Sequence, residues 1–205
     1  MPVRFAWILV ACLALCAAVS GLWIGRELDR ASVPRLASGT WLPRPRSIGA
    51  FALVDQSGAA FTEQRLRGAP ALVYFGFTHC PDVCPATLAL LAQVERVAAV
   101  PHLRVIFVTV DPARDRPAVL AAYLRAFDAR FVGLTGSERA LDGLAARFGV
   151  AHERVDLPGG DYTIDHSPVA FLLDRTGRIV AVFTAPFDAT RLAEDLHRSA
   201  AAVGS

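Results

Sequence analysis

The chain reads as a three-layer α/β sandwich behind an N-terminal membrane segment, and three observations carry that reading. Continuous apolar strand candidates, such as residues 71–77 (ALVYFGF) and 104–110 (RVIFVTV), recur between stretches of helical period. The carboxyl-terminal part closes with a hairpin pattern and a helix, and an uncharged apolar run, residues 5–25, stands ahead of everything else. Strands that are apolar at every position belong to a sheet covered on both faces, and their alternation with helices is the pattern of parallel βαβ units.

Residues 5–25 follow Arg4 and precede Arg26, Glu27, Asp29 and Arg30. About 20 apolar residues span a bilayer, whereas a secretory signal has an apolar core of about 7–15. An uncleaved anchor over residues 1–30 is the expectation. Residues 17–21 offer a cleavage site as the alternative, and Cys16 after Leu13-Ala14-Leu15 a weaker lipoprotein reading. Positive charge ahead of the run sends the remainder across the membrane into an oxidising compartment. With no Arg- and Ser-rich transit segment, the expected location is a bacterial inner membrane, single-pass, with the domain in the periplasm. Residues 31–46 (ASVPRLASGTWLPRPR) hold three prolines and show no period, so they read as a tether. The domain is expected over 47–199, with 200–205 as a tail.

Within it, residues 48–54 form a strand candidate before the turn Gln56-Ser57-Gly58, and 71–77 form a second. Residues 84–99 carry Leu88, Leu91 and Val94 at helical spacing, with Pro85 tolerated in the first turn. After the strand 104–110, Asp115 is expected to cap a helix running through Tyr123 to Phe127. Residues 131–134 are short and apolar, and Ser137 opens a helix that Gly149 ends. Residues 169–173 and 179–183, joined by Asp174-Arg175-Thr176-Gly177, make a hairpin, and 189–200 the closing helix.

The chemistry concentrates in Cys80-Pro81-Asp82-Val83-Cys84-Pro85, where a strand turns into a helix. Four-residue spacing puts both sulfurs on one face of a helical turn. They can therefore meet on one soft metal ion, such as copper, or close one disulfide. A helix N-terminus favours thiolate, the form that binds metal and attacks disulfides. Ligands gather beyond the carboxyl ends of parallel strands; the cysteine loop, Asp111 and Pro168 are expected there, and His166 just ahead of the hairpin can join them. Cys12 and Cys16 lie in the apolar run and read as small packing residues.

Three motifs in order, Gly76-Phe77-Thr78-His79-Cys80-Pro81-Asp82-Val83-Cys84-Pro85, Val108-Thr109-Val110-Asp111-Pro112-Ala113-Arg114-Asp115 and Tyr162-Thr163-Ile164-Asp165-His166-Ser167, resemble the Sco/SenC family. The resemblance covers nearly all of residues 47–199. It implies a membrane-tethered, thioredoxin-like copper chaperone that serves the binuclear copper centre of cytochrome c oxidase and is not a turnover enzyme. Position by position it makes Cys80, Cys84 and His166 the copper ligands, and Asp82, Asp111 and Arg114 recurrent positions without assigned roles. It departs at Pro168, where the family pattern has an aliphatic residue. The implied partners are the copper-bearing oxidase subunit, a copper donor and a thioredoxin-like reductant that keeps Cys80 and Cys84 from forming a disulfide.

Two thiolates and one imidazole independently suit Cu(I) and also accept Cu(II), whereas zinc wants a fourth ligand and calcium an oxygen cage. His79 is the nearest fourth ligand, but it sits on an exposed turn. His102, His152 and His197 match no motif and are assigned to the surface. Of the other function classes, a thiol-disulfide oxidoreductase acting on oxidase cysteines needs neither metal nor His166, and its usual spacing has two intervening residues rather than three. A peroxidase needs an activated thiolate with an arginine close by, a loose match to Thr78 and Arg114. The net charge of +2 comes from scattered Lys, Arg, Asp and Glu, which leaves no basic stripe for nucleic acid.

Overall fold

A computed structural model describes residues 7, 13–23 and 34–204, which fall into two units, Met1–Pro34 and Arg35–Ser205. In the first, residues 13–23 are helical and Cys16 is exposed on them; Cys12 and most of the flanking apolar run lie outside the described residues. Among the described residues no helix is long and apolar enough to cross a membrane.

The second unit contains ten strands: β1 (Gly39–Ser47), β2 (Ala52–Asp55), β3 (Ala60–Thr62), β4 (Ala71–Gly76), β5 (Arg104–Thr109), β6 (Val132–Thr135), β7 (His152–Asp156), β8 (Tyr162–His166), β9 (Val169–Leu173) and β10 (Arg178–Thr184). Eight of them form one sheet in the order β1-β10-β9-β4-β5-β6-β2-β3, while β7 and β8 pair only with each other. The centre is the parallel set β4, β5 and β6, in register Tyr74 to Phe107 and Ile106 to Val132. β9 runs antiparallel to β4, so the start of β9 lies at the carboxyl end of β4. All six residues of β4 are buried, as their continuous apolar sequence requires of a strand with both faces covered.

Four helices complete the sandwich: α1 (Val83–Val97), α2 (Pro117–Arg125), α3 (Glu138–Phe148) and α4 (Ala189–Val203). On one face, α1 and α4 pack together and Tyr123 of α2 meets Phe107 of β5, with ring centroids 6.1 Å apart. On the other, Phe148 at the end of α3 meets Phe75 and Phe171 edge-on at 5.1 and 4.9 Å. The expected ends of α3 are present: the Ser137 side chain accepts from the Ala140 N–H, and Gly149 takes the left-handed conformation at φ 76° that residues with a Cβ resist.

Two local expectations are corrected. Residues 39–46, read as part of a periodless tether, form with Ser47 the edge strand β1, which pairs with β10 across an irregularity between Trp41 and Arg46. Pro43 and Pro45 interrupt the ladder there and hide the strand's period. The start of this segment is fastened by the fully buried Asp195 of α4, which accepts from the Ala37 and Ser38 N–H groups at 2.7 Å each. The second correction concerns Asp115: helix α2 begins at Pro117 with Arg116 in the capping position, and Asp115 turns into the core instead. The β7–β8 ribbon is an addition for which the sequence shows no strand signal.

Candidate metal centre

The cysteine loop leaves the sheet where β4 ends, and the last residue of that strand shapes the site. A Cβ placed on Gly76 would stand 2.9 Å from the Cys84 sulfur and 2.9 Å from the Phe107 ring, so only glycine lets the first turn of α1 seat its sulfur on the strand. Beneath the loop, the fully buried Asp115 accepts from the Thr78 N–H at 3.0 Å, from the Thr78 hydroxyl at 2.5 Å and from the Thr109 hydroxyl at 2.6 Å. One carboxylate thus joins the end of β5 to the entrance of the cysteine loop. Burial raises its pKa, against the lowering effect of the two threonines. Sequence reasoning missed this role because a turn-and-helix sequence explains the same aspartate without any long-range contact.

Cys84 is fully buried and Cys80 partly exposed, and both are free thiols. The Cys84 N–H points at the Cys80 sulfur, 3.4 Å away, and the Cys84 sulfur lies 3.5 Å from His166 Nε2. On the far side of the imidazole, Nδ1 is 3.2 Å from the Ser167 carbonyl. A carbonyl can only accept, so Nδ1 carries the hydrogen and, in the neutral ring, Nε2 turns a lone pair toward the sulfur. Burial lowers the His166 pKa and so favours the neutral ring, against the Ser167 carbonyl, which raises it. Phe77 and Tyr74 meet it edge-on at 6.1 and 6.2 Å and shield it from water.

Cys80, Cys84 and His166 are thus brought to one place, with Cys84 in contact with both of the others. They do not form a closed set: among the described residues no three His, Cys, Asp or Glu side chains are grouped tightly enough to hold an ion as they stand. The expected thiolate at the helix N-terminus is corrected for Cys84. Burial, with a further contribution from the Cys80 side chain, pushes its thiol up to about 12, against a lowering contribution from the Phe77 backbone. At the fully buried Cys84 sulfur, the loss of hydration outweighs the partial charge of the helix end.

His166 arrives on β8, and the ribbon is clamped to the sheet by the remaining predicted residues. Asp111, 2 % exposed, pairs with Arg114 and accepts from the Tyr162 hydroxyl at 2.8 Å. Arg114 also donates to the Tyr162 carbonyl at 3.0 Å and lies 3.7 Å from the centroid of its ring, whose other cationic neighbour is Arg154 at 3.8 Å. Asp111 and Arg114 therefore fasten the histidine-bearing ribbon and do not reach the sulfurs. Asp82 is exposed at the start of α1 and makes no capping hydrogen bond. His79 is exposed, as expected, with Nδ1 3.1 Å from the Thr78 hydroxyl. His152, assigned to the surface, is instead half-buried: it is the cross-strand partner of His166 and its Nε2 lies 3.0 Å from Asp142 on α3. A pairing partner on a ribbon with no apolar alternation leaves no local signal.

A thioredoxin-like sheet with a cysteine pair at its carboxyl edge and a histidine brought against it defines a class of thiol or metal-handling proteins. The chain belongs to the SCO1/SenC family, whose model matches residues 42–201. It is 38 % identical over 150 residues to an SCO2-like protein of Rickettsia prowazekii, covering 71 % of this chain and 73 % of that one. A copper-bound structure of ScoI from Bradyrhizobium japonicum superposes with a TM-score of 0.67 at 39 % identity, covering 73 % of this chain and 97 % of the other. For copper-bound ScoI from Arabidopsis thaliana the TM-score is 0.71 at 31 % identity, with 73 % and 95 % covered.

Proposed function

We propose that the protein is a copper carrier: reduced Cys80 and Cys84 take up Cu(I), His166 completes the site, and docking passes the ion to the copper-bearing subunit of cytochrome c oxidase during assembly. The observation that carries this reading is the Cys84 sulfur, 3.5 Å from the lone-pair nitrogen of His166 and adjoined by Cys80. Thiol exchange does not require that imidazole, whereas a soft ion is suited by it as a third ligand. The copper-bound relatives support the choice of metal, and family membership supports the oxidase as destination. Unequal exposure sets the order of events: an incoming ligand reaches the ion from the Cys80 side, so Cys80 is exchanged early and the buried Cys84 late.

Loading displaces the Cys84 proton, so uptake releases protons and weakens as pH falls. A Cys80–Cys84 disulfide would remove both thiolates; one thiol of a thioredoxin-like reductant would attack the partly exposed Cys80 sulfur and release Cys84, and the reductant's second thiol would then displace Cys80 from the mixed disulfide, leaving the reductant oxidised. The uncharged run of residues 5–25 supports an anchor that holds the domain on the periplasmic side of the inner membrane, which raises its concentration near a membrane-bound acceptor. A copper donor supplies the ion.

Anaerobic Cu(I) titration of the reduced protein tests the reading. One equivalent should bind, and His166→Ala and Cys84→Ser should each weaken it by more than about 100-fold, beyond the loss typical of a supporting residue. Thiol exchange that survives His166→Ala, alongside negligible copper affinity in the unaltered chain, would replace the carrier with a reductase.

A further inference from the structure

Tyr74 is fully buried in the middle of β4, and its hydroxyl has no hydrogen-bond partner. Side chains two apart on a strand share a face, so Tyr74 points to the same side as Gly76, the side on which the Cys84 sulfur rests 2.9 Å from where a Cβ would be. The ring also meets His166 edge-on, with centroids 6.2 Å apart. Burial raises the phenol pKa, and charge on Cys84 raises it further. Cys84 and Thr87 are the polar side chains acting on the hydroxyl, yet with neither is a hydrogen bond of ordinary length and angle made.

An orphaned buried donor is destabilising unless something else explains it. The explanation lies in the chemistry of its neighbour. A thiol sulfur is a poor acceptor, and while Cys84 is protonated the phenol gains little from it. A thiolate is a strong acceptor, and hydrogen bonds to ionised groups are roughly twice as strong as neutral ones. We propose that Tyr74 is a positioning residue whose hydroxyl donates to the Cys84 sulfur once that sulfur is a metal-bound thiolate, so that loading satisfies a donor left unpaired beforehand. This rests on the reading of Cys84 as a copper ligand. The hydroxyl is misplaced for stability and placed for cargo, and the two properties should separate on removing one oxygen atom.

The test is Tyr74→Phe in the full-length chain, beside Tyr123→Phe as control. Tyr123 also has an unpartnered buried hydroxyl, and charge on Cys84 and Cys80 reaches it, but neither sulfur acts on it as a hydrogen-bond partner, so it shares the electrostatics of the site without the proposed bond. Thermal unfolding of the reduced, metal-free protein should show both variants melting higher than the unaltered chain, by about 2–4 °C each for a loss of strain near 1 kcal/mol. Competition with a Cu(I) chelator should show Tyr74→Phe binding roughly 10-fold more weakly, and Tyr123→Phe within about twofold of the unaltered chain. In the Cu(II)-loaded protein, the sulfur-to-copper charge-transfer band should move to lower energy in Tyr74→Phe alone. Unchanged affinity and band in Tyr74→Phe would overturn the proposal while leaving the carrier reading intact. A parallel loss of melting temperature and affinity, with the band unmoved, would also overturn it, because that marks ordinary packing. Failure of the unaltered chain to bind copper would overturn the carrier reading and this inference with it.

Discussion

The cysteine loop is set into the carboxyl edge of the sheet, over a floor in which Phe77, Thr109 and Asp115 are buried, whereas His166 arrives on a ribbon of which β7 is exposed at four of its five positions. One half of the site inherits the rigidity of the core. The other is held by the Asp111–Arg114–Tyr162 clamp, by the His152–Asp142 contact and by the Ser167 N–H donating to the Ala151 carbonyl at 3.0 Å. The contrast shows how a metal site can combine a fixed anchor with a ligand on a separate element: the sulfurs are seated on the sheet itself, while the imidazole comes on its own hairpin, which the clamp holds to the end of β5.

That contrast breaks most sharply at Asp115. Asp115→Ala leaves the Thr78 N–H and two threonine hydroxyls without their acceptor, and the expected loss of global stability is about 3 kcal/mol; Asp115→Asn should restore part of it. Denaturant unfolding checks this, and a loss below about 1 kcal/mol would show that the loop does not depend on the carboxylate. The pH dependence comes next, because the two halves respond with opposite sign. The Cys84 thiol is raised from 9.0 to about 12, so the unfolded chain gives up that proton first and stability falls as pH rises above 9. The expected loss is about 1.4 kcal/mol by pH 10, and Cys84→Ala should abolish it. The His166 pKa is lowered from 6.5, so the unfolded chain takes up that proton first and stability falls as pH drops through that value, an acid limb that His166→Ala should flatten. Measuring both limbs on the reduced, metal-free protein separates the halves. The smallest effect is Tyr162→Phe, which removes one hydrogen bond to Asp111 and keeps the stacking on Arg114. Amide exchange across β7 and β8 should quicken about fivefold, corresponding to about 1 kcal/mol, while β4 and β5 are unchanged. Equal quickening in both would mean that ribbon and sheet open as one unit.

The same division governs what could be read from the chain alone. The cysteine half was legible because its signals are local: a continuous apolar strand, a four-residue cysteine spacing and a helical period lie within residues 71–99. The histidine was legible from its position just ahead of the hairpin and from motif order, and it lies beside Cys84 as expected. The ribbon that carries it was not, since residues 152–166 (HERVDLPGGDYTIDH) are mostly polar and pair only with one another.

By itself the sequence determined the layered α/β architecture, the strand-to-helix seat of Cys80 and Cys84, the Ser137 and Gly149 ends of α3 and the family motifs, because each is written within a few turns of helix or a few pleats of strand. Only the tertiary structure decided that residues 39–47 join the sheet, that Asp115 braces the cysteine loop rather than capping a helix, that Cys84 is held as a thiol and that His152 and Tyr162 stand behind His166. Those outcomes depend on burial and on partners far apart in the chain, and the free energy of a buried charge or an edge strand is set by what packs against it, not by its neighbours in sequence.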